Sequence, residues 1–159
     1  MDKRKIVQDL ATQTGVAFRR ASSEDIAQLK ILGAPDEILD FFTNYEPSDC
    51  AEISGARLWP IAELIHENKD YVPGADLQPR GFLVIATNEC GDSFCVDFSV
   101  PGKQSCPVVI MSHELSWEEM SEKEVHALRK VVAQSFTEFL ELFVAGRLDK
   151  EPLFEPNAG

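Results

Sequence analysis

The side chains with chemical potential are four cysteines, Cys50, Cys90, Cys95 and Cys106, and three histidines, His66, His113 and His126. Cys90, Cys95, Cys106 and His113 are the set from which a zinc site would have to be assembled. Their spacings match no structural-zinc pattern, since none of the cysteines forms a CxxC pair. The same stretch holds the parts of a thiol nucleophile: Cys95 or Cys106 to attack, His113 as base and Asp97 as orienter. A cysteine in an apolar strand, however, has its thiolate disfavoured, and small buried thiols account for these residues without any reaction. Asp97, one residue before Phe98, reads as a bond to a neighbouring loop's backbone. His66 stands beside Glu67, and His126 beside two acids on its helix; both read as solvated. No GxxxxGK[ST], GxGxxG, HExxH or GxSxG occurs. The expectation is no catalytic residue, no metal and no cofactor.

The acids carry more information as a surface. Asp36, Glu37 and Asp40 come first, Glu46, Asp49 and Glu52 next, and Glu67, Asp70 and Asp76 after them, with only Arg57 breaking the sign before the third helix. Such a run serves solubility as a solvated face, or it docks a cationic protein, with Asp36, Glu37, Asp40, Glu46, Asp49, Glu52, Glu67 and Asp70 as the contacting set. Tyr45, Trp59 and Trp117 are candidate aromatic anchors for that contact. Trp59, between a strand and Pro60, reads better as core.

The formal net charge of −12 is unevenly spread: residues 1–30 sum to +2, residues 31–80 to −7 and residues 81–159 to −7. That field disfavours nucleic acid and anionic membrane as direct ligands, because phosphate contacts need clustered Lys and Arg. A basic protein partner is favoured, since the field speeds its encounter at low salt. Lys3-Arg4-Lys5 resembles the start of an export signal, but Gln8, Asp9, Gln13 and Thr14 interrupt any apolar segment behind it. No run reaches the ~20 apolar residues of a membrane helix. The cysteines are therefore read as reduced thiols in a cytoplasm. Cys90 and Cys95 flank a turn, where an incidental disulfide is within reach.

These side chains are held by a chain of 159 residues with 44% apolar content and ten phenylalanines, the size of one domain with one core. Its firmest local signal is Gly81 to Phe98. Two runs rich in Val, Ile, Phe and Cys flank Gly91-Asp92, and a turn over Cys90-Gly91-Asp92-Ser93 folds one back on the other. Phe94, Val96 and Phe98 alternate toward a core, while Phe82 to Ile85 are apolar together, as in a central strand covered on both faces.

Residues 1–21 carry a weak helical pattern at Ile6, Val7 and Leu10 and read as a loosely attached, flexible arm. Ser22 opens a helix with Asp25 three residues on, Ile26, Leu29 and Leu32 line it, and Gly33 stops it. Pro35 to about Asn44 is a second helix with a stripe of Ile38, Phe41, Phe42 and Tyr45. Ala51–Ile53 and Leu58-Trp59 read as strand, Pro60 opens a third helix on Ile61, Leu64 and Ile65, and Tyr71 to Arg80 reads as a loop. After the hairpin, Pro101-Gly102-Lys103 is a turn and Pro107 to Ser112 a buried strand. Ser121 and Glu124 form a capping box, and Val125, Leu128, Val132, Phe136, Phe139, Leu140 and Phe143 keep one helical face as far as Gly146. Residues 149–159 read as a flexible tail. The fold class is α+β: an antiparallel sheet with helices packed on one side and a long C-terminal helix. An unpaired sheet edge allows a weak homodimer without demanding one, so the chain is expected to be a monomer or weak homodimer.

In order and spacing, LKILGAPDEILDFFTNYEP, RLWPIAELIHENKDY, GFLVIATNECGDSFCVDF, PVVIMSHEL and QSFTEFLELF resemble the SUKH superfamily, over about residues 24–145. That makes residues 22–148 a single SUKH-like domain. The chain departs from the family's Leu-Pro at Ala34-Pro35, and from its Tyr-Asn-Gly at Tyr45-Glu46-Pro47. The resemblance implies a protein without catalytic residues. It also implies one of two roles: bacterial members are associated with immunity proteins that neutralise toxins, often nucleases, and fungal members with regulation of cell-wall assembly.

Overall fold

The computed structural model describes residues 2–99 and 105–148. Its centre is a six-stranded antiparallel sheet whose strands lie in chain order: β3 (Ala51–Ile53), β4 (Ala56–Leu58), β5 (Phe82–Thr87), β6 (Ser93–Asp97), β7 (Val108–Met111) and β8 (Lys130–Ala133). A separate two-stranded ribbon pairs β1 (Phe18–Arg19) with β2 (Glu46–Pro47). The Glu46-Pro47 departure from the family turn thus forms strand. The α+β class is borne out.

The hairpin forms from the residues that specify it. Strand-forming side chains fill β5 and β6, and the connection from Asn88 to Asp92 closes on Gly91, whose φ of 91° lies in the left-handed region. Asn88 tightens it by accepting the backbone N–H of Cys90 and of Asp92 through Oδ1, each at 3.0 Å. Alternation then sorts the side chains. Leu83, Phe94, Val96, Val108 and Ile110 join the larger core, while Phe82, Val84, Cys95, Val109 and Met111 form a smaller one on the opposite face. A bulge between Val84 and Ala86 puts Ile85 and Ala86 on the same side, both in the larger core.

The larger face carries α1 (Lys3–Thr14), α2 (Ser23–Ile31), α3 (Asp36–Tyr45), α4 (Ile61–Lys69) and α7 (Phe136–Val144). Ser22 caps α2 by accepting the Asp25 N–H, and Ile38, Phe41 and Phe42 line α3, as the sequence pattern predicts. Phenylalanines dominate the core: Phe41 and Phe136 pack edge-on at 5.0 Å between ring centroids, and Phe94 meets Phe139 at 5.4 Å.

Four features differ from the sequence expectation. The arm over 1–21 is instead part of the domain, because Ile6 and Leu10 are fully buried, Val7 is nearly so, and α1 packs on α7 and β3. The expected C-terminal helix is two helices with a strand between them. The capping box of Ser121 and Glu124 opens α6 (Glu122–Leu128), Arg129 turns extended at ψ 147°, and Lys130, Val131 and Ala133 pair with β7 across a register shift before Ser135 caps α7. Val125 and Val132 fit one helical spacing, but β-branched residues beside an open sheet edge gain more from a ladder. Helices also cover the second face: α5 (Gly74–Leu77), α6 and a 3-10 turn at Trp117–Glu119 lie over Phe82, Val84 and Cys95. The segment read as a loop from Tyr71 to Arg80 supplies α5 and a further 3-10 turn at Gln78–Arg80. The expected turn at Pro101-Gly102-Lys103 and the tail 149–159 lie outside the described residues.

Candidate partner-binding surface

The structure separates the parts of the thiol nucleophile. Cys95 lies fully buried on β6, with Ser93 O 4.0 Å from its Sγ. Burial first, and the neighbouring Asp97 charge second, push its thiol far above the ordinary cysteine value. The His113 imidazole is engaged elsewhere: Asp92 Oδ1 lies 2.6 Å from its Nδ1 and accepts its backbone N–H at 3.0 Å. Asp97 accepts the Ser99 N–H and hydroxyl at 3.0 and 2.5 Å and lies 3.2 Å from the Arg129 guanidinium. It binds a neighbouring loop's backbone, as read from the sequence. None of the four cysteines is in a disulfide; Cys90 is exposed while Cys95 faces the smaller core opposite Val84. Among the described residues no group of three or more His, Cys, Asp or Glu side chains is placed to hold a metal ion. No helix among them is long and apolar enough to cross a membrane.

The eight acids singled out from the sequence do not form one surface. Asp36, Glu37 and Asp40, in the first half of α3, line an open concavity of about 610 Å³ together with Lys3, Ser105 and Ser135. Asp36 and Asp40 are exposed there. Both Glu37 oxygens are engaged: Oε1 accepts the Thr137 N–H at 3.1 Å, in the first turn of α7, and Oε2 accepts the Ser105 hydroxyl at 3.2 Å. A carboxylate complements a helix N-terminus.

Glu46 is a correction. It is 2% exposed, its Oε2 accepts the Ile61 N–H at 2.8 Å at the start of α4, and Arg19 lies 3.4 Å from Oε1. Pro60, which precedes α4, has no side chain to cap it, and Glu46 fills that role. It supports the fold and offers nothing to a partner. Asp49 is exposed, with Oδ1 turned to the Cys50 N–H at 2.8 Å. Glu52 pairs with Arg57 across the β3–β4 ladder at 3.1 Å, and Asp70 with His66 one helical turn back at 2.5 Å.

Glu67 belongs to a different place. It lines a second groove of about 320 Å³ with Trp59, Tyr71, Val72, Asn88 and Glu89. Partial burial, and then the Glu63 charge, hold its carboxyl above the usual range. Of the candidate anchors, Trp117 is 1% exposed and donates to the Ser112 carbonyl at 2.6 Å, so it is core. Tyr45 is half-buried against the larger core. Trp59 is half-buried, and its Nε1–H donates to Thr87 at 2.9 Å.

Sequence reasoning missed Tyr71, Val72 and Glu89. The available signal was Tyr71-Val72-Pro73 itself, two large apolar residues with no helical or strand partner at the proper spacing.

No curated protein and no solved structure matches the chain. A family model does, over residues 21–142, and that span runs from the cap of α2 into α7. The chain belongs to the SMI1 / KNR4 family (SUKH-1).

Proposed function

We propose that the chain is a non-catalytic, acidic protein-binding domain that neutralises a cognate toxin domain, basic in charge and of the nuclease kind. The supporting observation is the placement of its charge. A net −12 is carried on exposed positions such as Asp36, Asp40 and Asp49. A basic partner meeting this field associates quickly, and an acidic cover over a nucleic-acid-binding surface blocks it without any bond being broken. Family membership supports the same reading, because immunity and regulatory roles both work by binding. The domain acts in the cytoplasm as a monomer or weak homodimer, with a protein and neither nucleic acid nor membrane as its partner.

The test is co-expression with the toxin domain encoded beside its gene. Rescue of growth and recovery of a one-to-one complex are expected. A chain that neither rescues nor binds overturns the immunity reading and leaves regulation of an intracellular partner as the role.

A further inference from the structure

The groove beside Trp59 combines features that the concavity over Asp36 and Asp40 lacks. Next to the Trp59 ring stand two large side chains left in solvent, Tyr71 at 51% and Val72 at 70% exposure. Apolar groups standing out beside an aromatic wall are what the centre of a protein contact covers. Two carboxylates, Glu67 and Glu89, line the same volume, and neither has an ion-pair partner among the described residues. Arg57, the one cation among the lining residues, is held by Glu52. The uncompensated charge of the groove is therefore negative. Glu67 already bears a desolvation penalty on its charged form, which an incoming cation relieves.

Asn88 adds an independent mark. It is 3% exposed, and its Oδ1 is committed to two backbone N–H groups, which fixes the amide's orientation. Its Nδ2 is left without a partner among the described residues. Buried donors are normally satisfied, so an unpaired one in a residue that lines the groove sets Asn88 apart.

We propose that this groove receives a loop of a basic protein partner, with a lysine or arginine side chain set between Glu67 and Glu89 against the Trp59 and Tyr71 rings. The inference rests on the reading of the chain as a protein-binding domain and adds where the partner docks. The negative lining excludes an anionic group, and the open groove takes a side chain and its backbone. Aromatic faces beside carboxylates favour a cation, whose aliphatic stem covers Val72.

The test is a titration of the full ¹⁵N-labelled chain with the peptide Ac-Lys-Gly-Lys-NH₂, and with Ac-Glu-Gly-Glu-NH₂ as control. Shifts are expected at the Tyr71, Val72 and Glu89 amides and the Trp59 indole with the cationic peptide alone. The double variant Glu67→Gln/Glu89→Gln, whose spectrum reports its own folding, should bind about fivefold more weakly. Tyr71→Ala, with all charges kept, should weaken binding as well. Shifts as large at Asp36 and Asp40 as in the groove, or an affinity unchanged in the double variant, overturn the proposal. Toxin neutralisation that is intact in wild type and undiminished by these three substitutions together overturns the groove while the immunity reading stands. Absent neutralisation with peptide shifts confined to the groove does the reverse.

Discussion

The Asn68 side chain makes both hydrogen bonds of a strand partner with Val84: its Oδ1 accepts the Val84 N–H at 2.8 Å, and its Nδ2 donates to the Val84 carbonyl at 3.0 Å. β4 pairs with β5 only at Arg57 and Leu58, because Pro60 lacks an N–H and the chain turns into α4. The next backbone groups of β5 would be buried without partners. Asn68, reaching from α4, completes the ladder. It also donates to Leu64 O at 2.8 Å and is 2% exposed. Asn68→Ala is expected to destabilise the domain by about 3 kcal/mol, from two buried backbone groups left unsatisfied. A urea denaturation midpoint unchanged by the substitution would contradict this.

The N-terminal helix makes a second prediction. Ile6 and Leu10 are fully buried against α7 and β3, so Leu10→Ala should cost about 2–5 kcal/mol, as for any core leucine. A detachable arm would show no loss. Thermal unfolding of the variant distinguishes the two.

Glu46 and Asp49 stand three residues apart, yet their substitutions should differ. Glu46→Ala removes the acceptor at the start of α4 and leaves Arg19 without its carboxylate, for a loss of about 1–3 kcal/mol. Asp49→Ala touches an exposed residue and should stay within about 0.5 kcal/mol. Matched urea curves at pH 7 are the comparison, and equal effects would remove Glu46 from its structural role.

The thiols give a pH-dependent prediction. In the native protein Cys95 keeps its proton far above the unfolded value of about 8.5, mainly because it is buried. Its contribution to stability is therefore whole below that value. As pH rises above it, the unfolded chain releases the proton, the native chain does not, and stability falls. Native labelling at pH 8 with iodoacetamide should modify exposed Cys90 first and spare Cys95 until the protein unfolds. Fast, selective alkylation of Cys95 would restore the thiol-nucleophile reading.

The hairpin and α3 were legible because their signals are local: alternation at Phe94 and Val96, and the Ile38, Phe41 and Phe42 stripe, lie within a few residues of one another. What the sequence concealed depends on distant neighbours. Ile6, Val7 and Leu10 form a short pattern among polar residues, and only the surface left by α7 and β3 decides that they are buried. Lys130 to Val132 continue a helical spacing, and only the free edge of β7 recruits them as strand. Glu46 has the same charge as Asp49, and what separates them is the position of Ile61, fifteen residues on. For the same reason the acids looked like one face, whereas the fold sends Glu67 to a groove with Trp59, Glu46 inward, and Asp36 and Asp40 to a concavity of their own.

Direct binding tests the central claim, that the domain holds a basic protein through shape and negative charge. Purified chain would be titrated calorimetrically with the toxin domain encoded beside its gene, at about 50 and 500 mM salt, where exposed charge interactions differ strongly in screening. A one-to-one complex that weakens at high salt and inhibits the toxin equally well with Cys95→Ser and Cys106→Ser is the predicted result. No complex at either salt, or inhibition lost on replacing either thiol in a chain that still folds, would contradict it.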